Sequence, residues 1–93
     1  MKKFIEDLNV AVLTTKYVLE KKSEILYVYH FEDDGMWQFN GNEEIIDDSD
    51  YKVVSLEEII NIDPSVLEVS DLPLGYEAFR KTKKSDWEIA EAE

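Results

Sequence analysis

The chain of 93 residues contains no cysteine, three glycines, two prolines and one histidine. The absence of cysteine excludes disulfides and thiolate metal sites, and it is compatible with a reducing cytosol. No apolar run exceeds five residues, far short of the roughly 20 that span a bilayer. The Lys2-Lys3 start briefly imitates a signal peptide, but Glu6 and Asp7 interrupt the apolar region that should follow. We therefore expect a cytoplasmic protein without a membrane span.

The central part of the chain almost lacks positive charge. Between Ser23 and Phe79 there are fifteen carboxylates and a single cation, Lys52, and the net charge of the whole chain is −12. Such a negative field repels nucleic acid and anionic lipid surfaces, and it favours a basic protein partner. No phosphate-binding loop or glycine-rich nucleotide motif is present. We expect no nucleic acid, no membrane and no cofactor among the ligands.

A single histidine leaves little room for catalysis. His30 cannot form a multi-histidine metal site, and no second histidine could serve as a spare base. A structural role in a central strand is our first interpretation of this residue. It could instead bind Asp33 or Asp34 and orient the hairpin that follows, or act as a general base.

The strands are predicted from alternation and from turn residues. The clearest is residues 25–31, where apolar side chains occupy both faces, which predicts a central strand covered on two sides. The Asp34-Gly35 pair after it predicts a hairpin to residues 36–40. Further strands are expected at residues 10–14, 52–54, 76–81 and 87–90. The basic residues from Arg80 to Lys84 are expected at the solvated tip of the last hairpin.

The helices are predicted from their N-terminal caps. Thr15 can cap a short helix over residues 16–22, and Ser55 opens a capping box with Glu58. Asp63-Pro64 then ends that helix and starts another helical turn. The order of elements predicts a single α+β domain over residues 1–93. We expect an antiparallel or mixed sheet of about five to six short strands, with two to three short helices on one face.

The acidic segment after the hairpin is the main candidate for a binding site. It carries Glu43, Glu44, Asp47, Asp48 and Asp50. It is either a solvated loop that maintains solubility or a recognition surface for a basic partner. Its spacing resembles a calcium loop, but Lys52 stands where that loop needs glycine, so no metal site is predicted. A second possible site is the hairpin itself, with His30, Asp34 and Trp37, although a tryptophan there is more often core.

Several segments together resemble a known family. They are HFEDDGMWQF (30–39), SLEEI (55–59), DPS (63–65) and DLPLGYEAFR (71–80). In this order they resemble a family of small bacterial proteins of unknown function, whose relatives are grouped with the immunity proteins of polymorphic toxin systems. The resemblance covers roughly Val10 to Trp87. It implies an intracellular protein that binds a partner such as a toxin domain, and it supplies no catalytic residues to transfer.

Three functions remain open from the sequence. The first is a non-catalytic binding protein of the immunity type, either monomer or homodimer, that turns an acidic surface toward a basic partner. The second is a structural or regulatory module that acts through homodimerisation by an exposed edge strand. The third is a small enzyme that uses His30 with a nearby aspartate.

Overall fold

The computed structural model describes residues 2–43 and 46–92. The strands are β1 (Ala11–Thr15), β2 (Tyr27–His30), β3 (Trp37–Asn40), β4 (Tyr51–Ser55), β5 (Tyr76–Phe79) and β6 (Glu88–Glu91). The α-helices are α1 (Lys16–Leu19) and α2 (Leu56–Ile62). Two 3-10 helices span Asp48–Asp50 and Pro64–Val69.

The six strands form one mixed sheet in the order β4-β1-β3-β2-β5-β6. β1 and β3 run parallel, and the other neighbouring pairs are antiparallel. In the β2–β3 hairpin it is the second strand, β3, that lies next to β1, and these two strands have the same direction. The predicted α+β fold with a mixed sheet is confirmed.

The hydrophobic core lies between the helices and one face of this sheet. Val12 of β1, Phe39 of β3 and Val28 of β2 are fully buried. Val28 is the cross-strand partner of both Phe39 and Ala78 of β5, so Ala78 lies on the same face. Leu56 and Ile59 of α2 belong to the same core cluster, as do Val66 and Val69 of the second 3-10 helix. Because these helix and strand side chains share one core, the helices lie on one face of the sheet, as predicted.

The predicted helix starts are present. The Thr15 side chain accepts a hydrogen bond from the Val18 amide, and the Ser55 side chain accepts one from the Glu58 amide. Asp63 caps the second 3-10 helix through the Ser65 amide at 3.0 Å, and Pro64 follows it. Each cap satisfies a backbone donor that the first helical turn leaves without a partner.

The predicted hairpin between β2 and β3 is also present. The Asp34 carboxylate accepts from the Met36 amide at 3.0 Å, and the Phe31 amide donates to the Met36 carbonyl. Gly35 adopts a φ of +73°, which side chains with a Cβ rarely take. Asp34 therefore has a structural role in this turn.

Arg80 differs from its prediction. It was expected at a solvated hairpin tip, but it is only 5 % exposed and pairs with Asp63, which is 3 % exposed. The Arg80 Nη2 atom lies 2.8 Å from Asp63 Oδ2, and the guanidinium stacks on Trp87 with its carbon 4.0 Å from the ring centroid. Lys81, Lys83 and Lys84 are exposed as predicted. Arg80 can be buried because the carboxylate of Asp63, which is buried beside it, compensates its positive charge.

Candidate protein-binding surface

The face of the sheet opposite the helices carries a row of side chains across all six strands. Paired residues of neighbouring strands point to the same face. The row consists, in spatial order, of Val53, Leu13, Gln38, Tyr29, Glu77 and Ala90. A neighbouring row contains Asn40, Tyr27, Phe79 and Glu88. We call this side of the sheet the open face.

The open face exposes apolar and aromatic side chains. Val53 is 64 % exposed, and Tyr27 and Phe31 are each 38 % exposed. Tyr29 and Leu13 are half-buried. Within residues 2–43 and 46–92, the buried helix side chains pack on the opposite side of the sheet. The prediction that β2 is covered on both sides is therefore wrong, because the short helices supply only one covering layer.

An aromatic pair stands near the centre of the open face. Tyr29 and Phe31 are stacked, with ring centroids 6.0 Å apart and planes 11° from parallel. Glu77 is the direct cross-strand partner of Tyr29. Burial, and then the negative charge of Glu77, raise the pKa of the Tyr29 hydroxyl above its ordinary value. The pair and the carboxylate therefore form one local cluster.

The charged side chains at the paired positions of the open face are negative. The paired positions of this face include Glu77 and Glu88 and contain no lysine or arginine. At one end, the exposed residues Glu32 and Asp33 follow Phe31 directly in the chain. Such a surface attracts cationic groups and repels anionic ones.

The predicted acidic site is divided by the structure. Asp47 and Asp48 are exposed and precede β4. Glu43 is half-buried, and its carboxylate accepts a hydrogen bond from the Ser23 hydroxyl. Glu44 lies outside the described residues. The accessible carboxylates among the five predicted residues are thus those of Asp47 and Asp48, within the part of the loop that the structure describes.

Asp50 is buried and holds the acidic loop against α1. Its carboxylate lies 3.2 Å from Lys16 Nζ and accepts from the Tyr17 hydroxyl at 3.1 Å. The Asp47 amide donates to the same carboxylate. Burial alone would raise the pKa of Asp50, but these hydrogen bonds outweigh it and hold the pKa below its ordinary value. This geometry gives Asp50 a structural role.

His30 and Trp37 lie together on the helix side of the sheet. Their rings stack with centroids 3.9 Å apart. His30 Nδ1 donates to the Leu72 carbonyl at 2.7 Å, and its Nε2 lies 3.9 Å from the Glu6 carboxylate. That carboxylate also accepts from the Trp37 indole at 2.8 Å. His30 thus contacts Leu72 and Glu6 rather than Asp33 or Asp34, and this arrangement favours a structural histidine.

One further concavity lies beside the edge strand β6. Its volume is about 650 Å³, and Leu67, Val69, Trp87 and Ile89 form its apolar lining. Lys2, Glu68 and Asp86 lie at its margin. We call it the β6 groove. It carries charges of both signs, in contrast to the open face.

Two kinds of feature are absent from the part of the chain that the structure describes. Residues 2–43 and 46–92 contain no group of three or more His, Asp or Glu side chains placed to hold a metal ion. None of the helices in those ranges has the length and apolar character needed to cross a bilayer.

The sequence does not single out the open face as a candidate site. The alternation of Tyr27, Tyr29 and Phe31 predicts that these side chains share one face of the sheet, and the structure exposes that face instead of burying it. The exposure of this face could have been inferred from the helices, because the few short helices of this chain can cover only one face of the sheet. Only α2 and the second 3-10 helix have as many as six residues among the helices described.

The chain matches a known protein domain family. The family model described as the immunity protein Imm33 domain matches residues 12–91. That range includes β2 to β6 entirely and nearly all of β1. No curated protein and no solved structure matches the chain significantly.

Proposed function

We infer that this chain, which belongs to the Imm33 immunity protein domain family, acts as an immunity-type inhibitor that binds a toxin protein. The observation that carries the proposal is the family match over residues 12–91. That range contains the whole open face except its first residue, Ala11. A sheet backed by a buried helix layer is a rigid support for recognition, and rigidity lowers the entropic cost of binding.

We further propose that the partner presents a basic surface. The net charge of −12, the exposed Asp47 and Asp48, and the negative open face all support this. Complementary charge raises association rates from about 10⁵–10⁶ M⁻¹s⁻¹ to as much as about 10⁸–10⁹ M⁻¹s⁻¹ at low salt. Fast capture suits an inhibitor that must neutralise a toxin before it acts. The absence of cysteine supports a cytoplasmic location.

The test begins with the reading frames next to the gene for this chain, from which one that encodes a toxin-like domain is taken as the candidate partner. Co-expression should protect cells from that toxin domain, and the purified chain should bind and inhibit it. Asp47→Lys with Asp48→Lys should slow association about tenfold at low salt and much less at high salt. Asp7→Lys with Glu68→Lys is the matched control, because it changes the net charge equally at exposed positions on the helix side. Protection and binding that are both absent would contradict the inhibitor function.

A homodimeric module remains the second candidate. The edge strand β4 favours it, because Val53 is 64 % exposed there and an unpaired edge can bind a second copy. The other edge strand, β6, is less suited to pairing with a second copy. If two β6 strands paired antiparallel about Ile89 and Ala90, Glu88 of each copy would lie opposite Glu91 of the other, and the like charges would repel. A dimer that persists in light scattering from low to high salt, together with no protection from toxin, would favour this candidate.

A further inference from the structure

The open face is wide enough to contact a protein partner across several strands. The molecule measures 28 × 27 × 27 Å, and the six strands of the sheet, which are roughly 4.8 Å apart, extend about 24 Å across it. Tyrosine and phenylalanine are enriched in protein interfaces, and tyrosine is common among their hot spots. The open face combines both residue types with an acidic surround.

The charges of this face decide between possible occupants. Two copies placed face to face would bring Glu77 and Glu88 of each molecule toward those of the other, which is unfavourable at a net charge of −12. Exposed aromatic residues on a sheet can also stack nucleic-acid bases. Phosphates, however, need cations, and the paired positions of this face supply none. A cationic protein surface is the occupant that the charges favour.

The cluster of Tyr29, Phe31 and Glu77 fits one cationic group in particular. A guanidinium is planar, stacks on aromatic rings and pairs with carboxylates through several N–H donors. Cross-strand partners have Cβ atoms about 4.5–5.5 Å apart, so the Glu77 carboxylate lies within reach of a group stacked on Tyr29. Among the described residues no cation forms an ion pair with Glu77. The chain uses the same combination internally, where Arg80 stacks on Trp87 and pairs with Asp63.

We propose that the open face is the docking surface for the toxin and that Tyr29, Phe31 and Glu77 bind an arginine side chain of that partner. The proposal rests on the immunity function inferred above. The arginine contributes a stacked cation and a carboxylate pair at the centre of the interface. Asp47 and Asp48 then act at the periphery, where charge affects the rate of association more than the lifetime of the complex.

The first experiment measures the affinity of variants for the toxin domain. Phe31→Ala and Glu77→Gln should each weaken binding about tenfold, mainly through faster dissociation. Ile89→Ala and Glu68→Gln are the matched controls, since they change an exposed apolar residue and an exposed carboxylate at the β6 groove. Circular dichroism and melting curves verify the fold of each variant. Full affinity in both open-face variants, with toxin still bound and inhibited, would overturn the docking proposal while leaving the immunity function intact.

The second experiment does not depend on the toxin. The ¹⁵N-labelled wild-type chain is titrated with a tetra-arginine peptide, a tetra-lysine peptide and a single-stranded RNA oligonucleotide. Arginine should shift the signals of Tyr29, Phe31 and Glu77 at lower concentration than lysine, and Glu77→Gln should weaken that response. Equal responses to both peptides, or shifts confined to the acidic loop, would contradict an arginine site. If RNA changed the chemical shifts of open-face residues, the proposal of a protein partner would be wrong and nucleic acid would be the favoured ligand.

Discussion

Replacement of Arg80 by methionine should be among the most damaging single changes to the stability of this fold. The guanidinium donates twice to the Ile25 carbonyl, at 3.0 and 2.8 Å, and once to Asp63 at 2.8 Å. It also donates to the Ser65 hydroxyl at 2.9 Å and to the Lys83 carbonyl at 3.1 Å. These bonds join the segment before β2, the junction between α2 and the second 3-10 helix, and the loop after β5.

The cost follows from the burial of both charges. Removal of one partner from a buried ion pair destabilises a protein by about 3–5 kcal/mol, because the other charge stays buried without compensation. A domain of 93 residues has a total free energy of unfolding of about 5–14 kcal/mol at roughly 0.05–0.15 kcal/mol per residue. Arg80→Met keeps much of the aliphatic packing and removes the charge. It should therefore abolish about a fifth of the stability or more.

Urea unfolding monitored by far-UV circular dichroism measures this loss. Lys81→Met is the matched control, because Lys81 is the exposed neighbour, and it should change the free energy of unfolding by less than about 0.5 kcal/mol. The double variant Arg80→Met, Asp63→Asn should be less destabilised than the sum of the two single variants. A loss below about 1 kcal/mol for Arg80→Met would refute the role assigned to the buried pair.

Three further predictions concern separate parts of the molecule. Hydrogen bonds hold the pKa of Asp50 below the ordinary 3.8, so Asp50 stabilises the fold above that pH, and this stabilisation is lost as the pH falls through the lower folded value. Asp50→Asn should therefore reduce the fall of the urea midpoint measured from about pH 5 down to about pH 2. Glu77→Gln should lower the raised pKa of Tyr29 toward its ordinary value of 10.0, and an NMR titration of the tyrosine ring should detect it; an unchanged pKa would place the carboxylate too far away to pair with a stacked cation. Ile59→Ala should cost about 2–5 kcal/mol in urea unfolding, because Ile59 is fully buried beneath the sheet.

Local features of the fold could be predicted from the sequence. The caps at Thr15, Ser55 and Asp63 and the turn at Gly35 each depend on contacts within three residues or on one backbone angle. Side chains that compete for nearby backbone groups act the same way in most sequence contexts. The strands and helix starts that depend on such contacts were therefore predicted close to their observed positions.

Features that depend on distant residues could not be predicted this way. Asp63 lies 17 residues from Arg80, and no local pattern shows that the two meet in the core. Alternation in β2 showed apolar side chains on both faces, but it could not show which face receives the helices. Asp50 likewise cannot be distinguished from the other carboxylates of its loop in the sequence, because its partners Lys16 and Tyr17 lie more than 30 residues away along the chain.

We propose that this chain binds a toxin through the open face of its sheet. The most direct test is to record the amide spectrum of the ¹⁵N-labelled chain with and without the unlabelled toxin domain. We predict that the largest shifts will fall on Tyr29 and Glu77 of the open face and extend to Asp48. Shifts concentrated at Leu67 and Trp87 in the β6 groove would contradict the claim.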